Sequence, residues 1–235
     1  MLRRLVPLLL AAALALAACG GEAGGGGGGE ATLWVTQDRG TKSLVDTKVD
    51  AGQSVLRALR SAAEIETRYG GRFVQSIDGV EGNVGAQRDW FFFVNGIEAD
   101  RSAAEVRVRP GDVVWWDFRG WSGSPRAPVV VGAFPEPFLH GWNGEVRPVA
   151  VRYGAGLTAE ARLIGERLGA ASVAPEGTAA PADANVFRLV AGAPRFVAAE
   201  RSPGSSAGSP VVFTFAGDVG ALLDGTLGRK AYSLP

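Results

Sequence analysis

Cysteine and histidine are nearly missing from this chain: Cys19 and His140 are the only ones among 235 residues. A lone thiol cannot close a disulfide within the chain. With one imidazole and one thiol, Ser/His/Asp and Cys/His catalysis and multi-histidine zinc sites lack their parts. Excess charge is missing too. The 24 basic and 24 acidic residues balance, so nothing in the composition calls for nucleic acid or an acidic partner. Lysine occurs only at 42, 48 and 230. There is no Walker-type phosphate loop, no strand–GxGxxG–helix unit and no internal repeat. A carboxylate pair could be drawn from Asp38, Asp78, Glu81, Asp112 or Asp117, but no spacing singles one out. The turn Asp78–Asn83 carries oxygen ligands without the register of a calcium loop and reads as a surface turn. No catalytic residue, metal site or required cofactor follows from the sequence, and the expectation is a protein that is not an enzyme.

Long apolar runs are absent except at the start. Met1-Leu2-Arg3-Arg4 is a basic n-region, and Leu5 to Ala18 is apolar but too short to span a bilayer. The run ends in Leu16-Ala17-Ala18-Cys19, which resembles a bacterial lipoprotein cleavage site. Residues 1–18 are then a signal peptide, and Cys19 is the lipid acceptor that anchors the chain on the extracytoplasmic face of the membrane. Each buried acyl CH₂ contributes ~0.8 kcal/mol to such anchoring. Residues 19–30 follow as a glycine-rich tether, with an unbroken run from Gly24 to Gly29 and a typical reach of about 20 Å.

What is abundant is aromatic and glycine residues, and they concentrate between Asp89 and Arg119. Trp90-Phe91-Phe92-Phe93-Val94 is closed by Asn95-Gly96, two residues that tolerate positive φ and signal a tight turn. Val106 to Arg109 reads as a second strand. Pro110 and Gly111 then fit the central positions of a type II turn, ahead of Val113-Val114-Trp115-Trp116-Asp117-Phe118. Period-2 alternation places Trp90, Phe92 and Val94 on one face and Phe91 and Phe93 on the other. It likewise sets Val114, Trp116 and Phe118 against Val113, Trp115 and Asp117. Strands apolar on both faces need cover on both.

These motifs, Trp90 to Gly96 and Arg109 to Trp116, resemble the transcobalamin-like C-terminal domain family of uncharacterised bacterial proteins. The resemblance spans residues about 31–119 and implies a soluble-ligand-binding β-grasp fold, with cobalamin or another corrinoid as the favoured ligand. The order of elements supports it. Two strands over Ala31 to Asp50 precede a helix from Val55 capped by Ser54, and Arg72 to Ile77 reads as a further strand of the same sheet.

Residues 120–145 are punctuated by Gly, Pro and Ser and read as a linker. Residues 146–235 read as a small α/β domain of undetermined topology. Strands are expected at Val149–Tyr153, Asn185–Val190, Phe196–Ala199 and Val211–Phe215. A helix capped by Thr158 and ended by Gly169 is expected, and another capped by Asp218. The fold class is α+β: a β-grasp domain and then this α/β unit.

The candidate ligand-binding residues are Trp90, Phe92, Trp116 and Trp121 as an aromatic platform, with Asn95 shaping the hairpin. Two readings of that platform stand open. Either it is exposed and receives a flat amphipathic ligand, or the C-terminal domain packs on it. His140 is read either as a loop imidazole hydrogen-bonded to backbone or as an axial ligand to cobalt. The function expected is non-catalytic capture of a small molecule for a membrane uptake system, with the transporter as partner. The alternative is an envelope module that docks a protein or a glycan.

Overall fold

The computed structural model describes residues 28–227 and 230–233. The signal segment, Cys19 and most of the tether lie outside them. The fold is α+β, with strands dominating.

In the first half, β1 (Glu30–Gln37) and β2 (Lys42–Asp50) form a hairpin, and α1 (Val55–Arg60) follows. Ser54 caps α1 as expected, its side chain accepting from Arg57 N. β3 (Ile65–Arg68), β4 (Phe73–Ile77) and β5 (Val80–Glu81) make a separate antiparallel sheet. β6 (Arg88–Val94), β7 (Ile97–Glu98) and β8 (Val113–Gly120) complete the main sheet, in the order β2-β1-β8-β6-β7. β1 and β8 run parallel at its centre and the other neighbours antiparallel. This is the β-grasp arrangement.

Two details differ from the sequence reading. The strand over Arg72 to Ile77 joins the small sheet, not the main one. The segment Val106–Arg109 is not a sheet strand, and the hairpin partner of β6 is the two-residue β7. Val106 and Val108 instead bond the chain entering α1: Val55 N donates to Val106 O, and Gly52 N to Val108 O. Both valines are buried in the core under α1. Their alternation records that one-sided burial, which an extended segment achieves without a ladder of its own.

The second half contains β9 (Val149–Tyr153), α2 (Thr158–Leu168), β10 (Ser172–Pro175), β11 (Asn185–Leu189), β12 (Arg195–Glu200), β13 (Val211–Ala216) and α3 (Val219–Leu223). The sheet order is β10-β9-β11-β13-β12, parallel except for the β12–β13 pair. Gly169 ends α2 at a φ of 60°, and Asp218 caps α3. Thr158 is the first helical residue and not the cap. Phe187, Phe213 and Phe215 form the core with Ala161, Ile164 and Leu168 of α2.

Of residues 120–145, read as a linker, Gly120 ends β8 and the segment after it is packed. Ala127, Val130 and Ala133 cover the first sheet, Val129 and Phe138 enter the second core, and Trp142 enters the first.

Candidate ligand-binding site

The alternation expected for β6 and β8 holds. Trp90, Val94, Val114, Trp116 and Phe118 share the face turned to α1, with Leu33 and Val35. Phe93 and Trp115 share the opposite face with Trp34. At six residues, or about 9 Å of helix, α1 is too short to cover its whole face. The small sheet and the loop after β7 supply the rest of the cover, and between them and the main sheet lies a cleft of about 500 Å³. Trp90, Phe92 and Trp116 line its sheet side. Phe73 and Val74 of β4, and the loop Ala99–Ala103, form the far walls. Phe92 and Trp116 stack at 4.9 Å and 26°, an offset geometry worth about 0.5–1.5 kcal/mol beyond area burial.

Three of the platform residues thus meet in one cleft, but not as an open surface. Trp90 is 5% exposed and Trp116 3% exposed; only Phe92 among them is partly buried. Trp90 donates from Nε1 to Val80 O at 2.8 Å, which ties β5 to β6. An aromatic facing the same side as a helix is claimed first by the core, and the cleft receives what is left. Trp121 does not join them. It lies five residues past Trp116, roughly 16 Å along an extended strand, and its N–H donates to Gln87 O.

Asn95 sits behind the cleft in a structural role. It and Gly96, at φ of 54° and 74°, turn the chain between Val94 and Ile97. The buried amide donates to Asp112 Oδ1 and Gly141 O and accepts from Val113 N, each at 2.8 Å. Asp112 is buried, and desolvation raises its carboxyl above the ordinary value against the pull of Arg109 N and Asn95. Nearby, His140 Nδ1 shares a 2.5 Å hydrogen bond with Glu136 Oε1. Burial raises the Glu136 carboxyl too, and its bonds to His140 partly offset this. His140 is therefore engaged by a side chain, not by backbone acceptors as in the simpler expectation. Among the described residues no group of three or more His, Cys, Asp or Glu could hold a metal.

The cleft rim mixes charges, Arg72, Arg101 and Arg126 with Glu98 and Asp100. Arg101 pairs with Asp100 at 3.2 Å and Arg126 with Glu200 at 3.8 Å. Arg72 is exposed and has no acidic partner among the described residues. The cleft wall around Arg72 and Phe73 escapes sequence reasoning, because the strand carrying it reads as part of the main sheet.

The opposite face is closed by a segment with no local signal. Tyr232, 8% exposed, packs edge-on against Trp115 at 5.3 Å and near Phe93 at 5.7 Å. Its Oη donates to Asp117 Oδ2 at 2.8 Å. Asp117, fully buried, also accepts from Thr36 Oγ1, Arg39 N and Gly40 N. Burial, and then the Asp117 charge, pushes the phenol far above its usual range.

With this geometry in view, comparison with known proteins bears on the first half. Residues 52–120 match the family model of a domain of unknown function, DUF4430. The match covers less than a third of the chain and includes β6, β8 and most of the cleft. No curated protein matches. Solved structures similar to this chain include the following two. One is a protein of Ruminococcus gnavus ATCC 29149 to which metal binding is provisionally ascribed. It is 18% identical over 39% of this chain and 97% of that one, with a TM-score of 0.33. The other is haptocorrin in complex with Cbi, 18% identical over 39% of this chain, with a TM-score of 0.32. The chain spans 25% of haptocorrin. Neither likeness carries an argument about what this chain binds. No helix among the described residues is long and apolar enough to cross a membrane.

Proposed function

We propose that the chain is a non-catalytic ligand-binding lipoprotein. In this reading it is held by Cys19 at the extracytoplasmic face and presents a small molecule to a membrane transporter. The observation that supports it is the cleft of about 500 Å³ floored by Phe92 and Trp116, within the usual range for small-ligand pockets. A stacked aromatic floor with an unpaired cation, Arg72, at the rim suits a flat molecule carrying polar or anionic groups at its edge. A corrinoid is the ligand that the sequence motifs favour. A ring of that size would lie over the cleft and leave its other side for the transporter. The envelope-module reading draws on a different observation: Trp90 and Trp116 are mostly buried by the chain itself.

The test is titration of the full chain with cobalamin and cobinamide, read by intrinsic tryptophan fluorescence with correction for absorbed light. Phe92→Ala runs alongside, since Phe92 reaches the cleft without belonging to the deep core. Saturable quenching weakened about tenfold in Phe92→Ala, one lost contact of roughly 1.4 kcal/mol, would support the reading. No saturable change with either corrinoid would remove that ligand. Quenching indifferent to Phe92→Ala would move the site elsewhere.

A further inference from the structure

On the side of the small sheet turned away from the core residues Val74 and Ile77, a second cleft of about 560 Å³ runs from the β3–β4 turn to the start of β6. It shares only Phe73 with the aromatic cleft. At one end stands Tyr69, 79% exposed, its ring edge-on to Phe73 at 6.3 Å. Tyr69 has a φ of 54° and is followed by Gly70 and Gly71 at 69° and 86°. A bulky side chain in the left-handed region is strained, whereas glycine sits there freely. Burial does not offset that strain, because the ring buries little. An outlier of this kind points to a role outside the fold itself.

The polar groups behind Tyr69 form one continuous set of contacts. Arg68 Nη2 donates to Glu81 Oε1 at 3.3 Å, and Gln75 Nε2 donates to the same oxygen at 3.0 Å and to Gly82 O at 3.2 Å. Asp89 lies directly over Gly82, where a methyl group would overlap its Oδ1. Trp90 N donates to that oxygen at 2.8 Å, and Ala86 N donates to Asn83 Oδ1 at 2.9 Å. Gln75 Oε1, Asp89 Oδ2 and Asn83 Nδ2 are left without a partner among the described residues. The first two are open to solvent, and Asn83 is exposed. Arg68 and Glu81 neutralise each other, so the free groups are two acceptors, one of them charged, and one amide donor.

We propose that this cleft binds a neutral saccharide. The C–H face of a sugar ring lies on Tyr69, and its hydroxyls donate to Asp89 Oδ2 and Gln75 Oε1 and accept from Asn83 Nδ2. A hydroxyl both donates and accepts, so a mixed set of planar donors and acceptors suits it. A simple cation would leave the Asn83 amide unmatched. The volume lies within the usual range for small-ligand pockets, and a tyrosine ring supplies a large, rigid contact area at small conformational cost. This site stands independently of what the aromatic cleft binds.

The experiment is isothermal titration of the full chain with the neutral trisaccharides of glucose, mannose and N-acetylglucosamine. The corresponding single sugars run in parallel, with putrescine as a cationic control. The variants are Tyr69→Gly, Tyr69→Phe and Asp89→Asn, each checked for its thermal midpoint. Phe73 is left intact, because it also walls the first cleft. Saturable binding of at least one sugar is expected. Tyr69→Gly should weaken it about tenfold without lowering the midpoint, because glycine relieves the positive φ. Tyr69→Phe should bind as the parent does. Asp89→Asn should weaken binding several-fold while keeping the bond from Trp90 N. A trisaccharide bound more tightly than its single sugar assigns a polysaccharide segment to the site, and equal affinity assigns a free sugar. Phe92→Ala should leave sugar binding unchanged, so failure here and failure of the corrinoid reading are separate results. Absence of saturable binding by every sugar overturns the proposal. So does binding indifferent to Tyr69→Gly, a Tyr69→Gly midpoint that falls together with binding, or putrescine bound more tightly than any sugar.

Discussion

Replacing Tyr232 with phenylalanine removes one oxygen and nothing else, so its effect can be worked out from the contacts. The lost bond runs from Tyr232 Oη to Asp117 Oδ2 at 2.8 Å. Hydrogen bonds to charged groups contribute about 1.5–3 kcal/mol. Asp117 keeps three donors, Thr36 Oγ1 at 2.5 Å, Arg39 N at 3.0 Å and Gly40 N at 3.1 Å, so the carboxylate is weakened but not orphaned. That places the loss at about 2 kcal/mol, or roughly 4–8 °C in midpoint for a chain of this size. Tyr232→Ala also loses the ring packed on Trp115 and Phe93, and truncations of this kind cost about 3–5 kcal/mol. Urea unfolding followed by tryptophan fluorescence measures both, with Trp115 as a reporter in direct contact. Both variants differ from the parent in alkali as well. The folded phenol holds its proton well above the ordinary range, so its contribution is complete below the unfolded value of about 10 and is lost as pH rises past it. Tyr232→Phe should lack that alkaline component. A Tyr232→Phe protein within about 0.5 kcal/mol of the parent, the range of ordinary surface substitutions, would refute the assignment of this contact as the clamp on the second sheet face.

Three further outcomes are expected. Gly40→Ala should loosen the same clamp, because its methyl would overlap the carbonyl oxygen of Lys230 in a turn where Gly40 has a φ of 82°; limited proteolysis past residue 227 should accelerate while the first core persists. Trp116→Ala should lower stability by about 3–5 kcal/mol in the absence of any ligand, read by urea unfolding, since Trp116 is core before it is cleft; a loss under 1 kcal/mol would return it to the surface. The raised carboxyls of Glu136 and Asp112 bind protons more readily in the folded chain. Their contribution is greatest below the ordinary carboxylate value of about 4 and is lost as pH rises through the raised folded values. Glu136→Gln should therefore flatten the stability–pH curve across that window, and an unchanged slope would contradict it.

Much of the fold is legible because its determinants are local. Asn95-Gly96 demands positive φ at two successive positions, which few other pairs accept, and the hairpin is there. Ser54 ahead of Val55, Leu59 and Ala62 specifies where α1 begins through one side-chain oxygen. Alternation assigns Trp115 and Trp116 to opposite faces with no knowledge of what covers either. The misreading of Val106–Arg109 has a physical origin. An apolar alternation reports burial on one side, and Val106-Arg107-Val108 is buried by pairing with residues 52–55 and not by a sheet neighbour.

The sequence by itself therefore determined the turns, the helix cap and the division of β6 and β8 into two apolar faces, since each depends on residues within a few positions of one another. Only the tertiary structure decided which part of each face stays open. Cover arrives from distant segments: β4 and the loop Ala99–Ala103 over one face, and Ala127 to Ala133 with Tyr232 over the other. Tyr232 meets Asp117 across 115 residues. Burial is a property of everything that packs on a side chain, and no local pattern encodes the approach of a segment so far away along the chain.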